Sequence, residues 1–192
     1  MEKVKVLDKT FRTMVKHADI MAAISDVASR INRDYKDCEE PPLLLCILNG
    51  AIPFTAELMK HLNFDHELAC MKVKSYEGTA STGKVKVDMA PTTSFKGRKV
   101  IIAEDIVDTG ITIHFLKKFI KDEGASDVRV STLMFKPESF SRNAGMLAGR
   151  GEQMTPPEYI GMSIPDAFII GFGMDYNEIG RNYRDIYVLD EQ

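Results

Sequence analysis

Acidic and hydroxyl side chains follow an apolar run in residues 99–112, in a pattern that suits a phosphorylated sugar. The run has strand character and stops at two adjacent carboxylates, Glu104 and Asp105. A short turn at residues 108–110 then leads into a predicted helix. Carboxylates accept hydrogen bonds from sugar hydroxyls and ligate divalent cations, and the N–H groups at a helix start bind phosphate. The segment therefore indicates a site for a sugar phosphate together with a metal ion.

The spacing of the acids excludes three other kinds of phosphate site. A phosphatase of the haloacid dehalogenase type needs two aspartates separated by one residue, whereas Asp105 is followed by Asp108. A P-loop needs a lysine directly after its last glycine, but Gly110 is followed by isoleucine. The Gly-x-Gly-x-x-Gly fingerprint of dinucleotide sites is also missing. A capping acid and a solvated edge carboxylate would explain single positions, but they do not explain the whole string.

Apolar patterns around this motif predict strands and helices in alternation. Continuous apolar runs indicate buried strands, and apolar residues at helical spacing indicate helices that pack against them. The predicted helices span about 18–35, 53–62 and 112–122, and the predicted strands span about 43–48, 66–74, 85–89, 100–103, 128–135, 167–172 and 186–189. Residues 137–165 lack clear periodicity and are predicted to be loop. The alternation predicts an α/β fold with a mostly parallel sheet, which binds ligands outside the carboxyl ends of its strands.

Length and composition predict one domain of 192 residues in the cytoplasm. The net charge of −3 argues against a general nucleic-acid or membrane-surface binder, because it supplies no strong basic field. No apolar stretch approaches membrane-spanning length, and no secretory signal opens the sequence. Cys38, Cys46 and Cys70 are odd in number and lack Cys-x-x-Cys spacing, so they are predicted to be reduced packing thiols.

The string from Ile102 to Thr112 resembles the phosphoribosyl pyrophosphate motif of type I phosphoribosyltransferases. Further matches follow the order of the purine-salvage branch of that family. They comprise a pyrophosphate loop at Leu48-Asn49-Gly50, a mobile loop at about 75–84 that opens with Ser75 and Tyr76, a purine-recognition lysine at Lys136, and a base-binding hood at 165–178 that ends in Asp175-Tyr176-Asn177-Glu178. The resemblance covers residues 43–188 and implies a type I phosphoribosyltransferase fold: a central sheet flanked by helices, with a small hood subdomain.

The resemblance also implies the reaction. The 5-phosphoribosyl group of phosphoribosyl pyrophosphate passes to N9 of a 6-oxopurine, hypoxanthine and also guanine, and pyrophosphate leaves. Mg²⁺ is the implied cofactor, and a homodimer or homotetramer is the implied assembly. The single domain 1–192 is expected to form its hood from the N-terminal segment and residues of about 160–192.

The family's binding roles for the sugar, phosphates and metal carry over to three groups of residues. Glu104 and Asp105 are expected to accept hydrogen bonds from the ribose hydroxyls and, with Asp175, to form the Mg²⁺ site. The 5′-phosphate is expected at Thr109, Gly110, Ile111 and Thr112. Pyrophosphate is expected at the loop of Leu48, Asn49 and Gly50, with Arg181 reaching it.

The base is expected to lie between Asp108 and the hood. The resemblance assigns Asp108 as the general acid/base near purine N7 and Lys136 as the donor to purine O6. It assigns Phe168 as the ring that stacks on the base, and Ile169 and Asp175 to the purine edge. Without the resemblance, Lys136 would be interpreted as a solvated strand end and Phe168 as core, and a role as a turn residue is the alternative for Asp108.

Two departures from the family pattern leave alternatives open. Asn49 stands where many relatives carry a basic residue, so pyrophosphate contacts are expected to depend more on main-chain N–H groups and Arg181. The stretch between Lys136 and Phe168 is longer than usual and leaves base choice and assembly open.

Xanthine or another base is one alternative substrate. A regulator that senses phosphoribosyl pyrophosphate while binding nucleic acid is the other alternative, and the net charge disfavours it.

Overall fold

The computed structural model describes residues 2–76, 84–149 and 151–190. In chain order the elements are β1 (Lys3–Val6), β2 (Lys9–Val15), α1 (His17–Tyr35), β3 (Leu43–Leu48), α2 (Ile52–His61), β4 (Glu67–Tyr76), β5 (Lys84–Met89), β6 (Lys99–Val107), α3 (Ile111–Asp122), β7 (Asp127–Phe135), α4 (Pro137–Ala148), β8 (Tyr159–Ser163), β9 (Ile169–Ile170) and β10 (Ile186–Leu189). The core of the mobile loop expected at about 75–84 lies outside the described residues.

The larger sheet has six strands in the order β5-β4-β3-β6-β7-β8. All neighbouring strands in it are parallel except β5, which pairs with β4 in the antiparallel sense. Its central strand β3 is apolar throughout because both of its faces are covered. Leu44 packs with α1 and α2 on one face, while Leu43 and Leu45 pack with α3 on the other. The predicted α/β fold with a mostly parallel sheet flanked by helices is confirmed.

The smaller sheet joins the two ends of the described chain. It has four antiparallel strands in the order β1-β2-β10-β9 and surrounds a core that includes Phe11, Ile170 and Tyr187. β1 and β2 precede the first element that the sequence predicts. β9 covers two residues rather than the predicted 167–172, because the chain turns at Gly171 and Gly173, whose φ angles are +98° and +104°.

The prediction of loop for residues 137–165 is wrong. The segment contains α4 and β8, and β8 pairs with β7 as the sixth strand of the larger sheet. The helical signal is weak because α4 contains two serines, one asparagine and one glycine and buries only Ser139 and Phe140. The strand signal is weak because β8 contains Gly161, where a Cβ would lie 2.7 Å from the Leu133 carbonyl oxygen. Residues 160–163 thus belong to the larger sheet rather than to the hood expected at about 160–192.

Strand β6 extends further than its apolar run predicts. The run stops at residue 103, but β6 continues to Val107 because β7 stays paired beside it as far as Phe135. Glu104 and Asp105 therefore lie within a strand rather than after it.

The three cysteines are free, in agreement with the prediction from their number and spacing. Cys46 is buried in β3, and burial raises the pKa of its thiol to about 11. In the part of the chain that the structure describes, no helix is both long and apolar enough to cross a membrane.

Candidate active site

Two cavities adjoin at the carboxyl ends of the central strands. The first, of about 290 Å³, is lined by the ends of β3 and β6, the turn before α3 and Arg181. The second, of about 200 Å³, is lined by Lys136, Phe168, Ile169 and residues near them. Both cavities share Asp105, Ile106 and Asp108. Ligands bound in the two cavities would therefore meet at one short segment of the chain.

The carboxylates of Glu104 and Asp105 form the floor of the first cavity. Their residues are 8% and 9% exposed, and Glu104 Oε2 has no hydrogen-bond partner among the described residues. Asp105 Oδ1 accepts a hydrogen bond from the N–H of Ile106 at 2.8 Å. Burial raises the pKa of both carboxyls, and the charge of Asp105 raises the pKa of Glu104 further. Two buried acids at a cavity need hydrogen-bond donors or a cation, which a sugar and a metal ion can supply.

The carboxylate pair fits a metal ion that arrives with its substrate. Within residues 2–76, 84–149 and 151–190, no group of three or more His, Cys, Asp or Glu side chains forms a metal site. Mg²⁺ commonly binds one or two carboxylates and completes its shell with water and substrate phosphates. Glu104, with its unpartnered oxygen, and Asp105 meet that requirement.

The turn before α3 presents a helix N-terminus to the first cavity. Gly110 precedes the helix with φ +79°, a conformation that favours glycine. A Cβ at Gly110 would also lie 2.5 Å from the Phe140 ring of α4 and from the Met154 side chain. Thr109 Oγ1 accepts a hydrogen bond of 3.4 Å from the N–H of Ile111. The first-turn N–H groups of a helix lack intrahelical partners, so the turn from Thr109 to Thr112 offers hydrogen-bond donors that suit an anion such as phosphate.

The loop after β3 packs directly on the carboxylate floor. The peptide bond between Leu48 and Asn49 is cis, and Gly50 follows it. A Cβ on Gly50 would overlap the Asp105 carboxylate, and a Cβ on Gly173 would overlap the Gly50 carbonyl oxygen. Glycine is therefore required at both positions by close approach. These contacts hold the loop after β3 and the turn after β9 against Asp105.

Arg181 connects the first cavity with the turn after β9. Its Nη1 donates to the Gly173 carbonyl oxygen at 2.8 Å, and its Nη2 lies 2.8 Å from Asp175 Oδ1 and 2.7 Å from Glu178 Oε2. Asp175 Oδ2 also accepts from the N–H of Glu178 at 2.8 Å. Asp175 and Arg181, expected at the metal and at pyrophosphate respectively, are therefore paired with each other.

The second cavity combines an aromatic ring with a buried lysine. Phe168 is 44% exposed, and its ring packs edge-on to Tyr176 with centroids 5.7 Å apart. Lys136 is 7% exposed, so it is not a solvated strand end. Its Nζ donates to Asp108 Oδ2 at 2.6 Å and to Asp166 Oδ1 at 3.4 Å. An aromatic face beside an ammonium group and a carboxylate suits a flat heterocycle that carries a carbonyl oxygen.

The structure brings most of the sequence-predicted residues to these two cavities. Fourteen of them line one cavity or both: Leu48, Asn49, Gly50, Glu104, Asp105, Asp108, Thr109, Gly110, Thr112, Lys136, Phe168, Ile169, Asp175 and Arg181. Ile111 begins α3 beside them. Ser75 and Tyr76 end β4, and their side chains lie outside what the structure describes. Asp166 and Arg142 were not predicted as site residues; Asp166 contacts Lys136 through Oδ1 and Arg142 of α4 through Oδ2.

The chain is similar to known proteins over most of its length. A family model for the phosphoribosyl transferase domain matches residues 13–177. The hypoxanthine-guanine phosphoribosyltransferase of Streptococcus thermophilus is 37% identical over 189 residues, 97% of this chain and 98% of that protein. Among solved structures, a hypoxanthine-guanine phosphoribosyltransferase of Bacillus anthracis is 30% identical with a TM-score of 0.81, over 93% of this chain and 98% of that one. A hypoxanthine phosphoribosyltransferase of Trypanosoma cruzi, solved with its product IMP, is 29% identical with a TM-score of 0.82, over 97% and 94%.

Proposed function

Because this chain belongs to the phosphoribosyltransferase family, we propose that it is a purine-salvage enzyme of the hypoxanthine-guanine type. It transfers the 5-phosphoribosyl group of phosphoribosyl pyrophosphate to N9 of hypoxanthine, and of guanine, and releases pyrophosphate. The observation that carries this proposal is the meeting of the two cavities at Asp105–Asp108. One cavity has the donors and acids that a sugar phosphate needs, and the other has the ring and lysine that a 6-oxopurine needs.

In this proposal the first cavity binds phosphoribosyl pyrophosphate. The ribose hydroxyls donate to Glu104 and Asp105, which are buried side chains that line this cavity. The 5′-phosphate accepts hydrogen bonds from the N–H groups and hydroxyls of residues 109–112. Pyrophosphate lies against the loop of Leu48, Asn49 and Gly50, within reach of Arg181. When pyrophosphate binds, Arg181 breaks one of its ion pairs with Asp175 and Glu178 and donates to a pyrophosphate oxygen instead.

Glu104 and Asp105, together with Asp175, would hold Mg²⁺, which would supply positive charge to the leaving pyrophosphate. The residues of the chain hold the reacting groups in place. A transition state with oxocarbenium character needs the base, the sugar and the leaving group in line. The fixed contacts among Gly50, Gly173 and Asp105 favour such alignment.

The second cavity binds the purine and contains the group that exchanges a proton with it. Phe168 stacks on the base, the Ile169 main chain and Asp175 meet its edge, and Lys136 donates to O6. Asp108 acts as general acid/base at N7. The 2.6 Å contact between Asp108 and Lys136 therefore opens when the purine enters, so that each group faces the base. Ser75 and Tyr76, at the end of β4, are proposed to cover the bound substrates and exclude water.

We propose further that the enzyme is a homodimer or homotetramer in the cytoplasm. Ile52 on α2, Leu68 on β4 and Met89 on β5 are 48%, 49% and 44% exposed and are apolar side chains that a subunit contact would cover. Sedimentation equilibrium tests the assembly. A monomer at micromolar concentration would contradict it.

A panel of bases tests the proposed reaction. Purified protein with Mg²⁺ and phosphoribosyl pyrophosphate is given hypoxanthine, guanine, xanthine or adenine, and kcat/KM is measured for each. We expect the highest values for hypoxanthine and guanine. A preference for xanthine would change the assigned base, and no nucleotide from any 6-oxopurine would refute the proposal.

A further inference from the structure

Lys136 lies between two carboxylates, of which the proposed reaction uses one. Its Nζ is 2.6 Å from Asp108 Oδ2 and 3.4 Å from Asp166 Oδ1. The lysine side chain is 8% exposed, whereas the side chains of Asp108 and Asp166 are 42% and 41% exposed. The ammonium group is thus enclosed, and its two acidic neighbours reach toward it from the solvent side.

Purine binding takes one of these carboxylates away from the lysine. Asp108 must turn to N7 of the base if it is to exchange a proton there. A buried ammonium group that loses its partner is costly, so it needs another carboxylate or a strong acceptor. The purine O6 is a neutral acceptor and does not neutralise the charge. Among the residues that the structure describes, Asp166 is the other acid paired with Lys136.

Arg142 of α4 holds Asp166 in position from the other side. Each carboxylate oxygen of Asp166 has its own partner: Oδ1 accepts from Lys136 Nζ, and Oδ2 accepts from Arg142 Nη2. Arg142, and Lys136 after it, lower the pKa of the Asp166 carboxyl below its usual value, so the group stays anionic. Asp166 precedes the purine-stacking segment at Phe168, and Arg142 belongs to the helix that the sequence pattern did not predict.

We propose that Asp166 and Arg142 are positioning residues that hold Lys136 for the purine 6-oxo group while Asp108 acts at N7. This inference rests on the proposed function, because it assigns no ligand of its own. When Asp108 turns to the base, the Asp166 carboxylate neutralises the ammonium group of Lys136. Arg142 orients Asp166. The pair therefore acts on binding of the base and not on binding of phosphoribosyl pyrophosphate.

Steady-state kinetics of two variants test the pair, with hypoxanthine and phosphoribosyl pyrophosphate each varied in turn. Asp166→Asn removes the second carboxylate charge and is expected to raise the KM for hypoxanthine about tenfold or more, the scale of a charge-assisted hydrogen bond. Arg142→Gln is expected to raise it about threefold, because Arg142 is 65% exposed and its ion pair is screened. The KM for phosphoribosyl pyrophosphate is expected to stay within about twofold of wild type, since Arg142 and Asp166 lie outside the first cavity.

Three further variants separate positioning from general charge or stability effects. Lys118→Gln removes an equivalent exposed cation, paired with Asp122 on α3, and is expected to leave both KM values unchanged. Arg142→Lys is expected to restore most of the hypoxanthine affinity. The double variant Arg142→Gln/Asp166→Asn is expected to match Asp166→Asn alone, because Arg142 acts through Asp166.

The outcomes distinguish this inference from the proposed function. Wild-type protein that makes no nucleotide from any 6-oxopurine refutes the proposed function, and this inference with it. In an active enzyme, unchanged hypoxanthine KM values in both variants refute the positioning role, as do equal rises in both KM values. If Asp166→Asn does not fold, the exposed Arg142→Gln variant decides the question alone.

Discussion

Replacement of Gly50 by alanine tests whether the loop after β3, proposed to bind pyrophosphate, must touch the carboxylate floor. An ideal Cβ on Gly50 lies 2.6 Å from Asp105 Cγ and 3.2 Å from its Oδ1. Nonbonded carbon atoms prefer about 3.5–4.0 Å, so the carboxylate has to move by roughly 1 Å. Gly50 has no positive φ, so alanine fits its backbone conformation and the effect comes from this contact alone.

A displacement of this size has a predictable cost for catalysis. A misplacement of about 1 Å can lower the rate about 10²-fold when a reaction depends on alignment. We therefore expect kcat/KM for phosphoribosyl pyrophosphate to fall about 10²-fold in Gly50→Ala. Overpacking is expected to lower the free energy of unfolding by about 1–3 kcal/mol. Initial rates of nucleotide formation at saturating hypoxanthine measure the first effect, and urea unfolding measures the second.

Two variants accompany Gly50→Ala as controls. Gly145→Ala lies in α4, where an added Cβ meets no atom within 4 Å, and it is expected to keep full activity. Asp105→Asn keeps the shape of the floor but removes its charge, and it is expected to lower kcat/KM for phosphoribosyl pyrophosphate without disturbing the fold. A folded Gly50→Ala protein with wild-type kcat/KM would refute the claim that the position of Asp105 governs sugar-phosphate binding.

Three further predictions concern proton transfer, base stacking and acid stability. Asp108→Asn is expected to lower turnover by roughly 10- to 10⁴-fold, the range of acid–base groups, and an unchanged kcat would remove Asp108 from the reaction. Phe168→Ala is expected to raise the hypoxanthine KM about tenfold with little change for phosphoribosyl pyrophosphate, as loss of aromatic stacking predicts, and equal effects on both substrates would count against stacking. The Tyr159 hydroxyl, and Arg129 with it, lower the pKa of the Asp34 carboxyl from 3.8, so Asp34 stabilises the fold above that value and loses this effect as the pH falls through its folded pKa. Urea unfolding at several pH values should therefore show that Asp34→Asn is less stable than wild type above about pH 5 and equal to it at strongly acid pH, whereas a constant difference would contradict the assignment.

The central elements of the fold could be predicted because each of them is dominated by one strong signal. The apolar run of β3 is buried on both faces, and the apolar face of α1 recurs at helical spacing. The two strands before α1 lack such a signal. Only Phe11 and Thr13 of β2 are buried, and Thr13 is polar, while β1 is mostly exposed. Such strands depend on partners from the far end of the chain, here β10, which local patterns do not reveal.

The site could be predicted in part because its residues are concentrated in contiguous motifs at strand ends. Residues 104–112 share one strand-to-helix connection, so a single string points to the carboxylates and to the phosphate turn. Their roles in the reaction stay predictions until the variants are measured. The ion pairs of Lys136 with Asp108 and Asp166 depend instead on contacts across 28 and 30 residues. The role of Arg142 could not be predicted, because α4 has no clear apolar periodicity and the Asp166 partner lies 24 residues further along the chain.

Simultaneous measurement of the two products tests the central claim most directly. Purified protein is mixed with phosphoribosyl pyrophosphate, Mg²⁺ and hypoxanthine, and IMP and pyrophosphate are quantified over time. We predict equal amounts of IMP and pyrophosphate, with neither product formed when hypoxanthine is left out. Consumption of phosphoribosyl pyrophosphate without IMP, or no product with hypoxanthine or guanine, would contradict the assignment of the two adjoining cavities.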